Sequence, residues 1–145
     1  MKIEKANKKN LREIAEIFRI ESGKEPYFQI WTEKKALMKI KQFFNKDDIY
    51  VALLEGKIIG FIIAYSYRSV DNKKKGFIEE MWFDEKHQGK GYGSALMKYV
   101  ETKYKKNGVE IIQLAAKRKA NAFKFYDKKG YKESEDLIFL EKKLK

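Results

Sequence analysis

Cysteine is absent from this chain of 145 residues, and histidine and proline each occur once. Without cysteine there is neither a disulfide framework nor a thiolate metal site. A single histidine, His87, argues against a histidine-based zinc centre and against a serine–histidine triad, so no metal is expected. No apolar run reaches the roughly 20 residues that a membrane-spanning helix needs, and a membrane is not an expected partner. The opening "MKIEKANKKN" is basic but has no apolar stretch, so no signal peptide is expected and a cytoplasmic location is the default. No repeat or low-complexity linker interrupts the chain. Its length suits one domain with its own core, and a single domain over residues 1–145 is expected.

Positive charge is what the chain has in excess. Lysine and arginine number 33 against 21 acidic residues, giving a formal net charge of +12 and leaving an anionic partner open. That partner could be nucleic acid, an anionic lipid surface or a phosphorylated cofactor. The lysines are spread along the whole sequence rather than gathered in a tail, which favours a solvating surface. The clusters "NKKKG", "KYKKNG", "AKRKA" and "DKKGYK" lack the aromatic interleaving of a stacking platform, so nucleic acid is not expected.

The spacing of apolar residues predicts the elements. "MKIEKA" reads as a first strand. "NLREIAEIFRIE" puts Leu11, Ile14, Ile17 and Phe18 on one face of a helix capped by Asn7 or Asn10. "TEKKALMKIKQFF" reads as a second helix, with Thr32 as cap and Leu37, Ile40 and Phe44 inward. "DDIYVALLEGKIIGFIIAYSY" is β-branched and aromatic, broken at Glu55-Gly56-Lys57, and reads as a hairpin. "GFIEEMWF" is another strand, and "SALMKYVETKYKKNG" a helix ended by Gly108. "VEIIQLAA" is a strand, "ANAFKFYDKKG" a short helix ended by Gly130, and "LIFLEKKL" a final strand. Hairpins combined with a strand–helix–strand crossover imply an α/β protein with a central mixed sheet flanked by helices.

The segment "HQGKGYGSAL" stands between a strand and a helix and alternates Gly89, Gly91 and Gly93. Glycine is a poor helix former, costing about 1 kcal/mol against alanine, so three at a helix start need a reason. Glycines let successive backbone N–H groups converge on an anion, and the helix N-terminus adds a positive dipole end. The pattern is not a Walker A loop, because no lysine followed by serine or threonine comes after the glycines. It is not the dinucleotide pattern G-x-G-x-x-G either, because Ser94 stands at the last glycine. A tight turn without a ligand is the alternative.

Gln88-Gly89-Lys90-Gly91-Tyr92-Gly93 resembles the Q/R-x-x-G-x-G/A signature of the GNAT superfamily of N-acetyltransferases. The downstream "AFKFYDKKGYK" resembles that family's A-x-x-F-Y-x-x-x-G-F/Y segment, and the element order resembles the GNAT fold over nearly the full chain. The resemblance implies an acyl-CoA N-acyltransferase fold and acetyl-CoA as co-substrate. It implies that the turn from Gln88 to Ser94 holds the pyrophosphate. It also implies that the strand ending Met81-Trp82-Phe83 splays from its parallel neighbour, leaving the backbone at Met81 and Phe83 for the pantetheine arm. Phe125 and Tyr126 of the second motif are expected at the cofactor as well. The family often has asparagine seven residues before that tyrosine. Here Lys119 stands there, with Asn121 two residues later, and either is a candidate for the contact.

Acetyl transfer needs a neutral amine, a polarised thioester carbonyl and a stabilised leaving thiolate. Tyr126 falls at the family's proton-donating tyrosine, and an N–H near Met81 or Trp82 is placed to polarise the carbonyl. Glu79 and Glu80 lie side by side in an apolar strand. On strand alternation they point to opposite faces and cannot share a role. An acidic pair at this spacing resembles that of polyamine acetyltransferases, which implies Glu79 as base and Glu80 as amine ligand. Structural ion pairs are the alternative for both. Tyr27, Phe28 and Trp31 of "SGKEPYFQIW" are expected to wall the acceptor slot, with Glu25 at its rim. The expected acceptor is a primary amine on a small molecule such as a polyamine, or on a protein N-terminus or lysine. A non-catalytic domain that binds CoA or nucleic acid is the reading of another class. A homodimer accords with the family.

Overall fold

The most apolar stretch of the sequence forms the longest strand. In a computed structural model describing residues 1–145, Lys57–Arg68 is strand β3, and Ile58 through Ala64 are buried without a break. Such a run requires cover on both faces of the sheet. The other strands are β1 (Lys2–Lys5), β2 (Asp48–Leu54), β4 (Lys74–Phe83) and β5 (Ile111–Leu114), in spatial order β1-β2-β3-β4-β5. The first three pairings are antiparallel, and β4 with β5 is parallel. The sheet is therefore mixed, as expected.

Two compact units divide the chain, Met1–Ala115 and Ala116–Lys145. In the first unit, helix α1 (Leu11–Ser22) buries Leu11, Ile14, Ala15 and Phe18 at helical spacing. Helix α2 (Glu33–Lys46) buries Ala36 and Ile40 and is capped by Thr32, whose hydroxyl oxygen accepts from Lys35 N at 3.1 Å. Both helices join Ile49, Val51, Phe61 and Ile63 in one core cluster on one face of the sheet. Asn7 rather than Asn10 provides the cap ahead of α1. Its side chain accepts from Lys9 N at 2.9 Å and starts a one-turn 3-10 helix over Lys8–Asn10 that leads into α1.

Helix α3 (Tyr92–Lys106) covers the opposite face. The Tyr50 and Tyr99 rings meet edge-on at 5.4 Å, and the Tyr104 hydroxyl donates to Asp48 Oδ2 at 3.0 Å. The helix starts two residues before the expected Ser94, so Gly93 lies inside its first turn. No helix is long and apolar enough to cross a membrane.

In the second unit, helix α4 (Asn121–Lys128) stands where it is expected, and Tyr131 N returns to Tyr126 O at 3.0 Å just past its end. The expected last strand does not form. Residues 137–144 pair with no strand, and Leu137, Ile138, Phe139, Leu140 and Leu144 are all more than half exposed. β-Propensity describes fit to a paired, half-buried surface, and a strand without a ladder partner lacks that stabilisation.

Candidate active site

The glycine turn lies between β4 and α3. Asp84 opens it by accepting from Lys86 N at 2.8 Å, which folds Glu85–His87 into one 3-10 turn. The chain then passes Gly89 at φ +73° and Gly91 at φ +86°. A residue with a Cβ in this left-handed region is strained by about 1–2 kcal/mol, so glycine is the residue of choice. A Cβ built on either glycine meets no atom within 4 Å, so the space beside the turn is open. Gly91 is the N-cap of α3 and has no side chain to cap it, and the first turn carries no acidic residue. The leading N–H groups and the positive end of the helix are thus left for solvent or an anion. Lys90 stands exposed between the two left-handed glycines. These features fit the diphosphate of a CoA thioester.

The strand leading into the turn is irregular at one point. Ile63 pairs with Glu80 and Ala64 with Ile78, so Glu79 is an extra residue in a β-bulge. Pairing of β4 with β5 stops at Ile78 and Leu114. From Glu79 to Phe83 the edge of β4 that faces away from β3 has no strand partner. The pairing stops because β5 itself ends at Leu114.

The bulge also corrects the expectation that Glu79 and Glu80 point to opposite faces. An extra residue breaks the two-residue alternation and re-aims its side chain. Glu80 stands opposite Ile63 of the core cluster under α1 and α2, and the charges that act on Glu79 include Lys39 and Lys46 of α2 and Asp47 at its end. Burial pushes the Glu79 carboxyl above the usual carboxylate range, and the neighbouring Asp47 and Glu80 push the same way. Asp47 is itself raised by burial, and its Oδ2 is buried without a hydrogen-bond partner.

Glu80 has partners for both oxygens. Lys39 Nζ donates to Oε1 at 2.7 Å, and Trp82 Nε1 donates to Oε2 at 2.6 Å. Lys39 Nζ also lies 4.4 Å from the Phe18 ring centre, 5.1 Å from that of Trp31 and 5.7 Å from that of Phe43. Tyr27 packs edge-on against Trp82 at 4.9 Å, and its hydroxyl pKa is raised by burial and by the Glu80 charge. Trp31 packs against Phe18 at 5.1 Å. Tyr27 and Trp31 therefore stand at the Glu80 cluster, while Phe28 is 67% exposed and Glu25 is also exposed. Met81 is half-buried and Phe83 buried, at the end of the strand.

A second carboxylate serves the turn. Glu21, at the end of α1, is 7% exposed. Its Oε1 accepts from Glu85 N at 3.2 Å and from Lys24 Nζ at 3.0 Å, and Lys24 also reaches Glu85 Oε2 at 3.2 Å. Gln88 of the signature is held by its side chain, which donates to Phe83 O at 2.8 Å and lies 3.5 Å from Glu21 Oε2. Sequence reading missed Glu21, Lys39 and Asp47. For Lys39 a signal was present, since it lies three residues after Ala36 and four before Phe43, on the inward stripe of α2.

In the second unit, Tyr126 is half-buried, with its ring 5.3 Å from Phe125 and 6.0 Å from Tyr131. Lys119 is exposed just before the buried N-cap Ala120, and Asn121 is exposed as the first residue of α4.

Comparison with known proteins bears on this geometry. None of the curated proteins matches the chain. Among solved structures, a possible acetyltransferase from Clostridium difficile 630 superposes with TM-score 0.85 at 17% identity, covering 99% of this chain and 98% of that one. An aminoglycoside acetyltransferase from an uncultured soil metagenomic sample, in complex with sisomicin, superposes with TM-score 0.74 at 23% identity, covering 99% and 96%. A ribosomal-protein-alanine N-acetyltransferase from Brucella melitensis biovar Abortus 2308 gives 0.77 at 16%, covering 97% of each. At these identities the likeness is one of fold. The model of the acetyltransferase (GNAT) family matches residues 11–131, most of the sequence and all of the elements from α1 to α4. The chain is a member of the GNAT family of acetyltransferases, which are acyltransferases.

Proposed function

We propose that this protein moves an acetyl group from acetyl-CoA to a primary amine. The observation that carries the reading is the meeting of two features on one strand. β4 loses its parallel partner at Glu79, and beyond its end at Phe83 the chain leads through Gly89 and Gly91 to an open helix N-terminus at Tyr92. Members of the family use acetyl-CoA as co-substrate. When bound, it supplies an acetyl thioester ready for attack by nitrogen.

The turn from Gln88 to Ser94 holds the diphosphate by backbone N–H groups, with Lys90 adding charge. The free edge at Met81, Trp82 and Phe83 receives the pantetheine amides as another strand would. Glu79 takes a proton from the acceptor ammonium, directly or through water, and its raised pKa makes it a better base than an ordinary carboxylate. By its place in the Phe-Tyr motif, Tyr126 returns a proton to the leaving thiolate, and Phe125 packs beside it. Lys119 or Asn121 fills the place of the family's asparagine. Tyr27 and Trp31 border the acceptor, with Phe28 exposed on the same segment. Glu80 binds the acceptor's positive charge.

The acceptor class is a primary amine on a small molecule, a polyamine among them, or on a peptide. The test is a screen of amines with acetyl-CoA, following release of CoA thiol. Amine-dependent release with a mass gain of one acetyl group on the amine is expected. Tight CoA binding with no transfer to small amines, protein N-termini or lysines would mark a non-catalytic binding domain instead.

A further inference from the structure

A carboxylate ringed by aromatic faces is the chemistry that recognises an alkylammonium ion. Glu80 with Phe18, Trp31 and Phe43 makes such a cage, and a cation already sits in it. Lys39 Nζ is 2.7 Å from Glu80 Oε1 and lies over all three rings. The cage is not sealed, since the side chains of Lys39 and Glu80 keep 21% and 16% of their surface exposed. One wall, Trp31, belongs to the stretch after α1 that has no regular structure.

We infer that this cage is an alkylammonium-binding site occupied in cis by Lys39, which competes with the acceptor for Glu80. The inference deepens the preceding reading and rests on it for the identity of the acceptor. An acceptor's ammonium cannot enter between Glu80 and the three rings while the Lys39 ammonium is there, 2.7 Å from Glu80 Oε1 and 4.4 Å from the Phe18 ring centre. Exchanging one ammonium for another conserves the ion pair and the ring contacts. Its main cost is moving the four-carbon lysine stem outward to water. Affinity for an external ammonium is reduced by the fraction of molecules in which Lys39 has left, so a minor open state of about 10% or less weakens binding roughly tenfold or more.

Butylammonium, without acetyl-CoA, is the probe. Calorimetry compares the wild type with Lys39→Met, whose shorter uncharged side chain leaves the ammonium position between Glu80 and the rings empty, and with Lys39→Arg, which keeps the charge. Lys39→Met is expected to bind butylammonium at least tenfold more tightly than wild type, and its melting temperature is expected to rise more when the probe is added. Lys39→Arg is expected to bind no better than wild type. In ¹⁵N-lysine spectra of the wild type, the Lys39 ammonium signal should move to that of a solvated lysine as butylammonium saturates. The spectral arm decides the matter if Lys39→Met does not fold. Equal affinity in folded Lys39→Met, or an unmoved Lys39 signal at saturation, would overturn the inference. Because no arm uses turnover, butylammonium binding in a protein that acetylates no amine would sink the acetyl-transfer reading alone. Amine acetylation with unchanged Lys39→Met binding would sink this one alone.

Discussion

At the scale of single residues, the proposed acetyl transfer assigns its proton steps to Glu79 and Tyr126. Tyr126→Phe keeps the ring and its contacts with Phe125 and Tyr131. Turnover should fall by roughly 10²–10⁴-fold, the scale for losing a positioned acid, while calorimetry finds CoA affinity nearly unchanged. Glu79→Gln should remove the rise in rate that wild type shows as pH climbs through the raised carboxyl pKa. Normal turnover in both variants would leave catalysis to proximity and backbone polarisation. Asp47 makes a separate stability prediction. Its folded pKa and that of Glu79 lie above the unfolded values, with burial the leading cause in each. Folding favours their protonated forms. The stability this gives is fully present below about pH 4, the ordinary carboxylate range, and is lost as pH rises through the raised folded values. A negative charge at the C-terminal end of α2 is also poorly placed against the helix dipole. Asp47→Asn should therefore raise the melting temperature at pH 7 and lose that advantage near pH 3. An equal gain at both pH values would mean that charge is not the cause.

At the scale of elements, the end of α1 and the glycine turn act together through Glu21. Glu21→Ala removes acceptors from Glu85 N and Lys24 Nζ, and a hydrogen bond to a charged group contributes about 1.5–3 kcal/mol. The 3-10 turn ahead of Gly89 should loosen. CoA affinity should fall several-fold beyond any loss of fold, and Glu21→Gln should recover most of it by keeping an oxygen for Glu85 N. Unchanged CoA affinity in folded Glu21→Ala would reduce the network to a staple between α1 and the loop. These couplings explain what could be read from the sequence and what could not. The helices were legible because Leu11, Ile14 and Phe18 keep strict helical spacing and Thr32 caps where expected. The glycine turn was legible because few residues other than glycine adopt φ near +86°. The bulge at Glu79 was not, because alternation along "GFIEEMWF" presumes an unbroken register. Lys39 has the spacing of the inward stripe of α2, but a lysine on an amphipathic helix ordinarily faces water, and the carboxylate that its stem reaches lies on a distant strand. "LIFLEKKL" has strand-forming residues, but a ladder partner is not written in a local segment.

At the scale of the whole molecule, the net charge of +12 creates a field that a CoA thioester, with its phosphates, feels before it touches the turn. Steering by a distributed field acts mostly on the association rate, while contacts at the helix N-terminus act mostly on dissociation. Raising the ionic strength toward 1 M shortens the Debye length to about 3 Å and removes the long-range part. The CoA association rate measured by stopped flow should then drop steeply, with a smaller change in dissociation. Lys90→Ala removes one exposed charge beside the turn and should change the salt response only slightly, because 32 other basic residues remain of the 33. A dissociation constant independent of salt would mean that the lysines only solvate the surface and that the backbone amides hold the phosphates unaided. A basic surface built for nucleic acid would behave differently. A short DNA duplex would then bind near physiological salt with a steep dependence on salt concentration, since each neutralised phosphate releases a counterion. CoA binding should persist in salt that has already released the duplex, because the amides of residues 91–94 carry no net charge to be screened. If the duplex instead outlasts CoA as salt rises, the charge serves nucleic acid rather than the thioester.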